Sequence, residues 1–281
     1  CTGFGRTSEI GLEINEVEIR MTPEAIEEAA RLLWQNWDAE ALLEGLPDNY
    51  RPAGELDGHA IQATFPVVSG QAHVGWKIAA TSNASQALFN VEGPLAGRLL
   101  SGRILQDGSE CSLATNSMGV MEAEFAFRFG EHVPPRVKAY SAVEVLSRVA
   151  EFCLTIEVPD SRYSDFTSVG MAQLLADNAC AWWLLQGLPV ESDWRKVDLR
   201  EHRVTVFRNG ELVAEGCGAN VLGDPREALA WLVNDVGSRG VSIGAGELVT
   251  TGSCIVPATV RPGDHVIADS GSFGRVEARF S

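Results

Sequence analysis

The stretch Met121-Glu122-Ala123-Glu124-Phe125-Ala126-Phe127 constrains the fold of this chain more than any other. Side chains two apart on a strand share a face, so the alternation reads as a β-strand. One face carries Met121, Ala123, Phe125 and Phe127, and the other carries Glu122 and Glu124. Two neighbouring carboxylates in an apolar run repel each other and lose hydration. A hard divalent cation such as Mg²⁺ or Ca²⁺ relieves both problems, because it takes carboxylate oxygens as ligands. The alternative is a half-exposed strand with a solvated acidic face, and the strand alone leaves both open.

The rest of the composition narrows the class. At 281 residues the chain can hold one large domain or two smaller ones. Its 45% apolar and 21% charged content is that of an ordinary globular protein. A formal charge of −16 argues against a nucleic-acid binder, which needs a basic footprint. No apolar run approaches the roughly 18 residues of a membrane-spanning helix, so no membrane partner is expected. The six cysteines are scattered, with no CxxC or Cys/His spacing, which fits reduced thiols in a cytoplasm rather than a zinc site or disulfide framework. Cys1 reads either as a lipidated terminus or as a trimmed, atypical start. Lysine is scarce: only Lys77, Lys138 and Lys196 stand among the 22 basic residues.

Taken in order, residues 1–20 read as an arm. Thr22-Pro23 is an N-cap with proline at the first helical position, and Ile26, Ala29, Ala30, Leu33 and Trp37 continue at helical spacing. A second helix is expected from Leu56 to Thr64. Ala72 to Ala80 reads as a buried strand carrying Lys77, which either snorkels to the surface or serves chemistry. A short helix over Ala84–Asn90 and a loop over Glu92–Leu100 lead to the acidic strand. Ser141 and Glu144 form a capping box for a helix expected to run to about Glu151. The strand Cys153–Val158 then carries Glu157, which reads as a third metal ligand or as a partner for Arg162. Met171–Gln186 reads as one apolar helix whose polar Asp177 and Asn178 either satisfy nearby backbone or face a site. A hairpin turns at Asn209-Gly210, Asp224-Pro225 opens a helix to about Val236, and strands are expected over 247–253, 264–269 and 273–280. Helices early and a strand-rich second half give an α+β layout with an extensive, curved sheet.

Several stretches together resemble one family. Gly75-Trp76-Lys77-Ile78, Met121-Glu122-Ala123-Glu124, Ile156-Glu157-Val158-Pro159-Asp160-Ser161-Arg162 and Ala176-Asp177-Asn178-Ala179 occur in its order and approximate spacing. So do Gly218–Pro225, Thr251-Gly252-Ser253 and Pro262-Gly263-Asp264. The chain is similar, over about residues 22–281, to the 2-keto-4-pentenoate hydratase / 4-oxalocrotonate decarboxylase group of the fumarylacetoacetate hydrolase superfamily. The resemblance implies a mixed β-roll with a smaller N-terminal helical portion, divided here at 1–70 and 71–281, and a homo-oligomer. It implies Mg²⁺ or Mn²⁺ held by Glu122, Glu124 and Glu157, with Lys77 as the reactive lysine. Asp177, Asn178, Thr251 and Ser253 are the implied substrate-binding positions.

The implied reaction is hydration of a 2-hydroxy-dienoic acid, with decarboxylation, tautomerisation or C–C hydrolysis as alternatives on the same site, and a non-catalytic scaffold as a third reading. Hydrolysis would need a water-activating base, for which His59, near Glu55 and Asp57, is the candidate. Two stretches depart from the family pattern. Arg98-Leu99-Leu100-Ser101-Gly102-Arg103 stands where an acidic pair is usual, and Cys180 replaces a serine. Arg98 and Arg103 are read as surface arginines or as recognising a second anionic group.

Overall fold

The computed structural model describes residues 19–37, 39 and 41–281. Cys1 and the expected arm, apart from residues 19 and 20, lie outside them. The first helix, α1 (Pro23–Trp37), starts where its cap signal predicts, with Ala25 N donating to Thr22 Oγ1 at 3.2 Å. The second, α2 (Glu55–Ser69), runs longer than expected and continues past Pro66. The buried Asp57 carboxylate accepts from the backbone N–H groups of Arg20, Met21 and Ala53, tying the entry segment to this helix.

The chain then passes through β1 (His73–Ala79), α3 (Asn83–Phe89), β2 (Leu95–Leu100), β3 (Ile104–Gln106), β4 (Glu110–Cys111) and β5 (Val120–Phe129). It continues with α4 (Ala142–Leu146), β6 (Val149–Val158), α5 (Met171–Ala176), β7 (Trp183–Gln186), β8 (Arg203–Arg208) and β9 (Glu211–Cys217). The closing elements are α6 (Pro225–Ser238), β10 (Leu248–Ser253), β11 (Ala258–Thr259), β12 (His265–Asp269) and β13 (Arg275–Phe280). Among the described residues, one sheet runs β2-β1-β10-β5-β6-β7-β3 with β11 added to β5, and the second runs β4-β13-β12-β8-β9. The architecture is α+β with curled sheets, as expected.

Three expectations fail locally. The loop expected over Glu92–Leu100 contains β2, paired antiparallel to β1 with Gly97 opposite Lys77. The helix after Ser141 keeps its capping box but ends at Leu146, and the chain enters β6 instead of remaining helical to Glu151. The single helix expected over Met171–Gln186 is a short helix, a left-handed turn and strand β7. Apolar residues serve a buried strand as well as a buried helix, so that run carried no period to separate them.

The central strand β5 has the predicted two faces. Met121, Ala123, Phe125 and Phe127 lie in the main core with Phe152 of β6 and with Leu33, Trp37, Ile61 and Phe65 of α1 and α2. The helical portion and the sheet therefore share one apolar core. The other face of β5 carries the acids toward a cavity.

Candidate metal centre and active site

Strand pairing assembles the acids. β5 and β6 are antiparallel with Glu122 directly opposite Glu157 and Glu124 opposite Thr155. Ligand oxygens of Glu122, Glu124 and Glu157 lie within 4.8 Å of one another. Glu124 is 0% exposed and Glu157 1% exposed, so solvent screens neither. Desolvation and the Glu157 charge push the Glu122 carboxyl up to about 7, against the opposing pull of Lys77. Desolvation, then Glu157 and Glu122, raise the Glu124 carboxyl well above the usual carboxylate range.

Backbone donors satisfy only part of this charge. Glu124 Oε2 accepts from Gly252 N at 2.9 Å, while Glu124 Oε1 and Glu157 Oε2 are buried without hydrogen-bond partners. Gly252 has φ of 101°, and a Cβ there would lie 2.2 Å from Thr81 Oγ1. A side chain is thus excluded at the position that brings its N–H to Glu124. Converging buried carboxylates with unpartnered oxygens fit a hard divalent cation, whose ligands are oxygens.

Lys77 supplies the organic counter-charge. It is 2% exposed, and its Nζ lies 3.0 Å from Glu157 Oε1. The same Nζ donates to Ala179 O at 3.0 Å. Burial disfavours this ammonium, but Glu157, Glu122 and Glu124 together outweigh burial and raise its affinity for the proton. Glu157 therefore pairs with Lys77 and not with Arg162, the partner weighed from sequence. Gly97 leaves the room this needs, since a Cβ there would lie 2.4 Å from Asn178 O and 3.0 Å from Lys77 Cδ.

The acceptor Ala179 O sits in an uncommon backbone. Asn178, Ala179 and Cys180 have φ of 57°, 51° and 59°. Left-handed non-glycine residues each cost about 1–3 kcal/mol and persist only when their surroundings hold them. Asn178 holds the turn through its side chain, which accepts from Arg98 N at 2.6 Å and donates to Arg98 O at 2.9 Å. Asp177 holds it from the other side, accepting from Ser161 Oγ at 2.7 Å and from the Arg162 guanidinium. Burial pushes the Asp177 carboxyl up to about 6, with Arg162 pulling the other way.

A cavity of about 1010 Å³ opens from Lys77 and Glu122, and Ser253 and Cys180 also line it. The other positions taken from sequence as substrate-binding lie behind its wall. Asp177 and Asn178 are fully buried and engaged as described, and Thr251 donates to Phe125 O at 3.0 Å inside the sheet. Ser253 donates to Ile255 O at 2.8 Å from the cavity edge. His59 does not line the cavity. Burial first, then Arg239 and Arg98, depress its imidazole pKa to about 3. Arg98 and Arg103 are not surface arginines. Arg98 stacks 4.4 Å from the Trp76 ring, and the buried Arg103 lies among Trp34, Trp37 and Trp183. Sequence reading also passed over the apolar side of the cavity, formed in part by Phe89, Met118 and Phe166 from three separate segments.

Residues 79–281 match the fumarylacetoacetate hydrolase C-terminal family, and the chain belongs to that family. It is 29% identical over 264 residues to 2-keto-4-pentenoate hydratase of Paraburkholderia xenovorans, covering 92% of this chain and 96% of that protein. It is 33% identical over 211 residues to 4-oxalocrotonate decarboxylase of Pseudomonas putida, covering 75% of this chain and 78% of the relative. Among solved structures, 4-oxalocrotonate decarboxylase from Pseudomonas putida G7, complexed with magnesium and adipate, superposes with a TM-score of 0.85 at 27% identity. That superposition covers 94% of this chain and 100% of the decarboxylase. The same decarboxylase has also been solved with calcium and acetate.

Proposed function

We propose that this chain is a metal-dependent hydro-lyase that adds water across the conjugated C=C of a 2-oxo/2-hydroxy-dienoic acid. The carrying observation is the convergence of Glu122, Glu124, Glu157 and Lys77 at one end of a large cavity. Similarity to a hydratase over nearly the whole chain supports the same reading.

In this reading Glu122, Glu124 and Glu157 hold Mg²⁺ or Mn²⁺ through carboxylate oxygens, as a hard cation requires. When bound, the ion would supply a Lewis acid that offsets negative charge developing on the 2-oxo acid. Lys77 acts on the substrate directly. An ammonium has three N–H donors; one goes to Ala179 O, while Glu157 Oε1, 3.0 Å away, balances the charge as an ion pair. A remaining donor meets the substrate oxygen on which charge develops, or carries a proton between substrate atoms as the dienol becomes the conjugated enone. Ser253 lines the cavity, and its hydroxyl would turn from Ile255 O to reach a substrate carboxylate. Asp177, Asn178 and Thr251 act behind the wall: the first two hold the turn that fixes Lys77, and Thr251 holds β10 against β5. The enzyme takes a small-molecule substrate, works in the cytoplasm with free thiols, and assembles as a homo-oligomer.

Decarboxylation of a 4-oxalocrotonate-like acid is the second reading, favoured by the structural match to such an enzyme. The two separate cleanly in a spectrophotometer. Protein with Mg²⁺ is expected to consume the ultraviolet absorbance of 2-hydroxypenta-2,4-dienoate and to yield a 4-hydroxy-2-oxo acid. Carbon dioxide release from 4-oxalocrotonate, with the dienoate left intact, would replace hydration by decarboxylation.

A further inference from the structure

We propose that the cavity is built for a 2-oxo acid with an apolar, uncharged tail longer than that of the five-carbon dienoate, and that it discriminates against acids bearing a second carboxylate at the far end. This rests on the reading of the site given above and names its substrate class. At about 1010 Å³ the cavity lies at the upper end of the roughly 300–1,000 Å³ typical of small-molecule sites. Its inner end is polar, with Lys77 and Glu122. Its apolar lining includes Leu88, Phe89, Met118, Phe166, Ile255 and Val256. Leu88 is 55% exposed and Val256 79% exposed, which places them at the mouth. The rings of Phe89 and Phe166 lie 5.6 Å apart, and with Met118 they pack on a separate apolar cluster that includes Leu174 and Leu175. The apolar wall is therefore backed by packed side chains.

Charge at the wall points the same way. Among the described residues lining the cavity, Lys77 is the one basic side chain, and it is committed at the inner end. Arg98 and Arg103 do not line the cavity. Several polar groups at the wall are already engaged with the protein itself. Ser117 N, Ser117 Oγ and Met118 N all donate to Asp160 Oδ1, at 2.9, 2.8 and 3.2 Å. Ser82 and Ser85 close the capping box of α3. A second carboxylate would give up its hydration there with no cation to meet it, and with the Asp160 carboxylate behind the wall. An alkyl or aryl tail instead gains from burial against Phe89, Met118 and Phe166.

The test compares two saturated 2-oxo acids of equal length, neither of which can be hydrated, by calorimetry on the full chain with Mg²⁺. The expected result is that 2-oxooctanoate binds at least about ten-fold more tightly than 2-oxooctanedioate. Leu88→Arg, at an exposed position that the fold tolerates, is expected to tighten diacid binding by a similar factor. Equal affinities, a preference for the diacid, or no binding of the monoacid overturn the tail assignment. A preserved preference for the monoacid without turnover of any dienoate overturns the reaction while leaving the tail assignment standing.

Discussion

At the residue scale, Lys77 and Glu157 form an ion pair that neither could sustain alone. Each is almost wholly buried, and removal of one leaves the other's charge uncompensated. Lys77→Met is expected to lower kcat by about 10²–10⁴-fold, the usual contribution of a positioned proton donor or acceptor. Mg²⁺ binding by the three carboxylates is expected to survive, so calorimetry and turnover should part company in this variant. A kcat within about ten-fold of the parent would remove Lys77 from the chemistry. His59 gives a prediction of a different kind. Its imidazole pKa is held near 3 by burial and by Arg239 and Arg98. The unfolded chain takes up that proton near pH 6.5, so the fold binds fewer protons than the unfolded state between those values. Stability present above about pH 6.5 is then lost as pH falls toward 3. A His59→Gln variant should show a shallower fall in Tm across that acid window. Identical profiles would mean that the imidazole titrates normally.

At the element scale, the turn after α5 connects the fold to the site. Three successive left-handed residues place Ala179 O against Lys77, and the Asn178 side chain clamps that turn to the backbone of β2. Asn178→Ala should cost about 1–3 kcal/mol of stability through the unsatisfied groups left behind. It should also lower kcat more than it weakens Mg²⁺ binding, because Lys77 loses its fixed acceptor. Equal loss in both would assign Asn178 to general stability alone. This turn explains what was legible in the sequence. Alternation exposed the acidic strand because period two is local, and the caps of α1, α4 and α6 were readable for the same reason. The apolar run 171–186 gave no such cue, and only Asp177-Asn178 hinted at the break. Gly93, Pro94 and Gly97 made 92–100 look like a loop, yet Gly97 is small because Lys77 passes beside it in the sheet. The partner of Glu157 depended on pairing between strands far apart in the chain, which no local pattern encodes.

At the scale of the whole molecule, one core carries both the helical portion and the sheet, while the acidic face of β5 turns into the cavity. The homo-oligomer implied by the resemblance predicts a light-scattering mass at a whole multiple of 30.2 kDa, and a particle of 30.2 kDa would contradict it. The central claim is that the half-buried Glu122 and the buried Glu124 and Glu157 converge because they hold a divalent ion. The most direct measurement is a Mn²⁺ titration of the full chain followed by electron paramagnetic resonance, with Glu124→Gln beside it. The account predicts one Mn²⁺ per chain, displaced by Mg²⁺, and a loss of affinity in the variant beyond the roughly 100-fold that removal of a mere supporting group causes. Equal Mn²⁺ binding by parent and variant, or none by the parent, would contradict it.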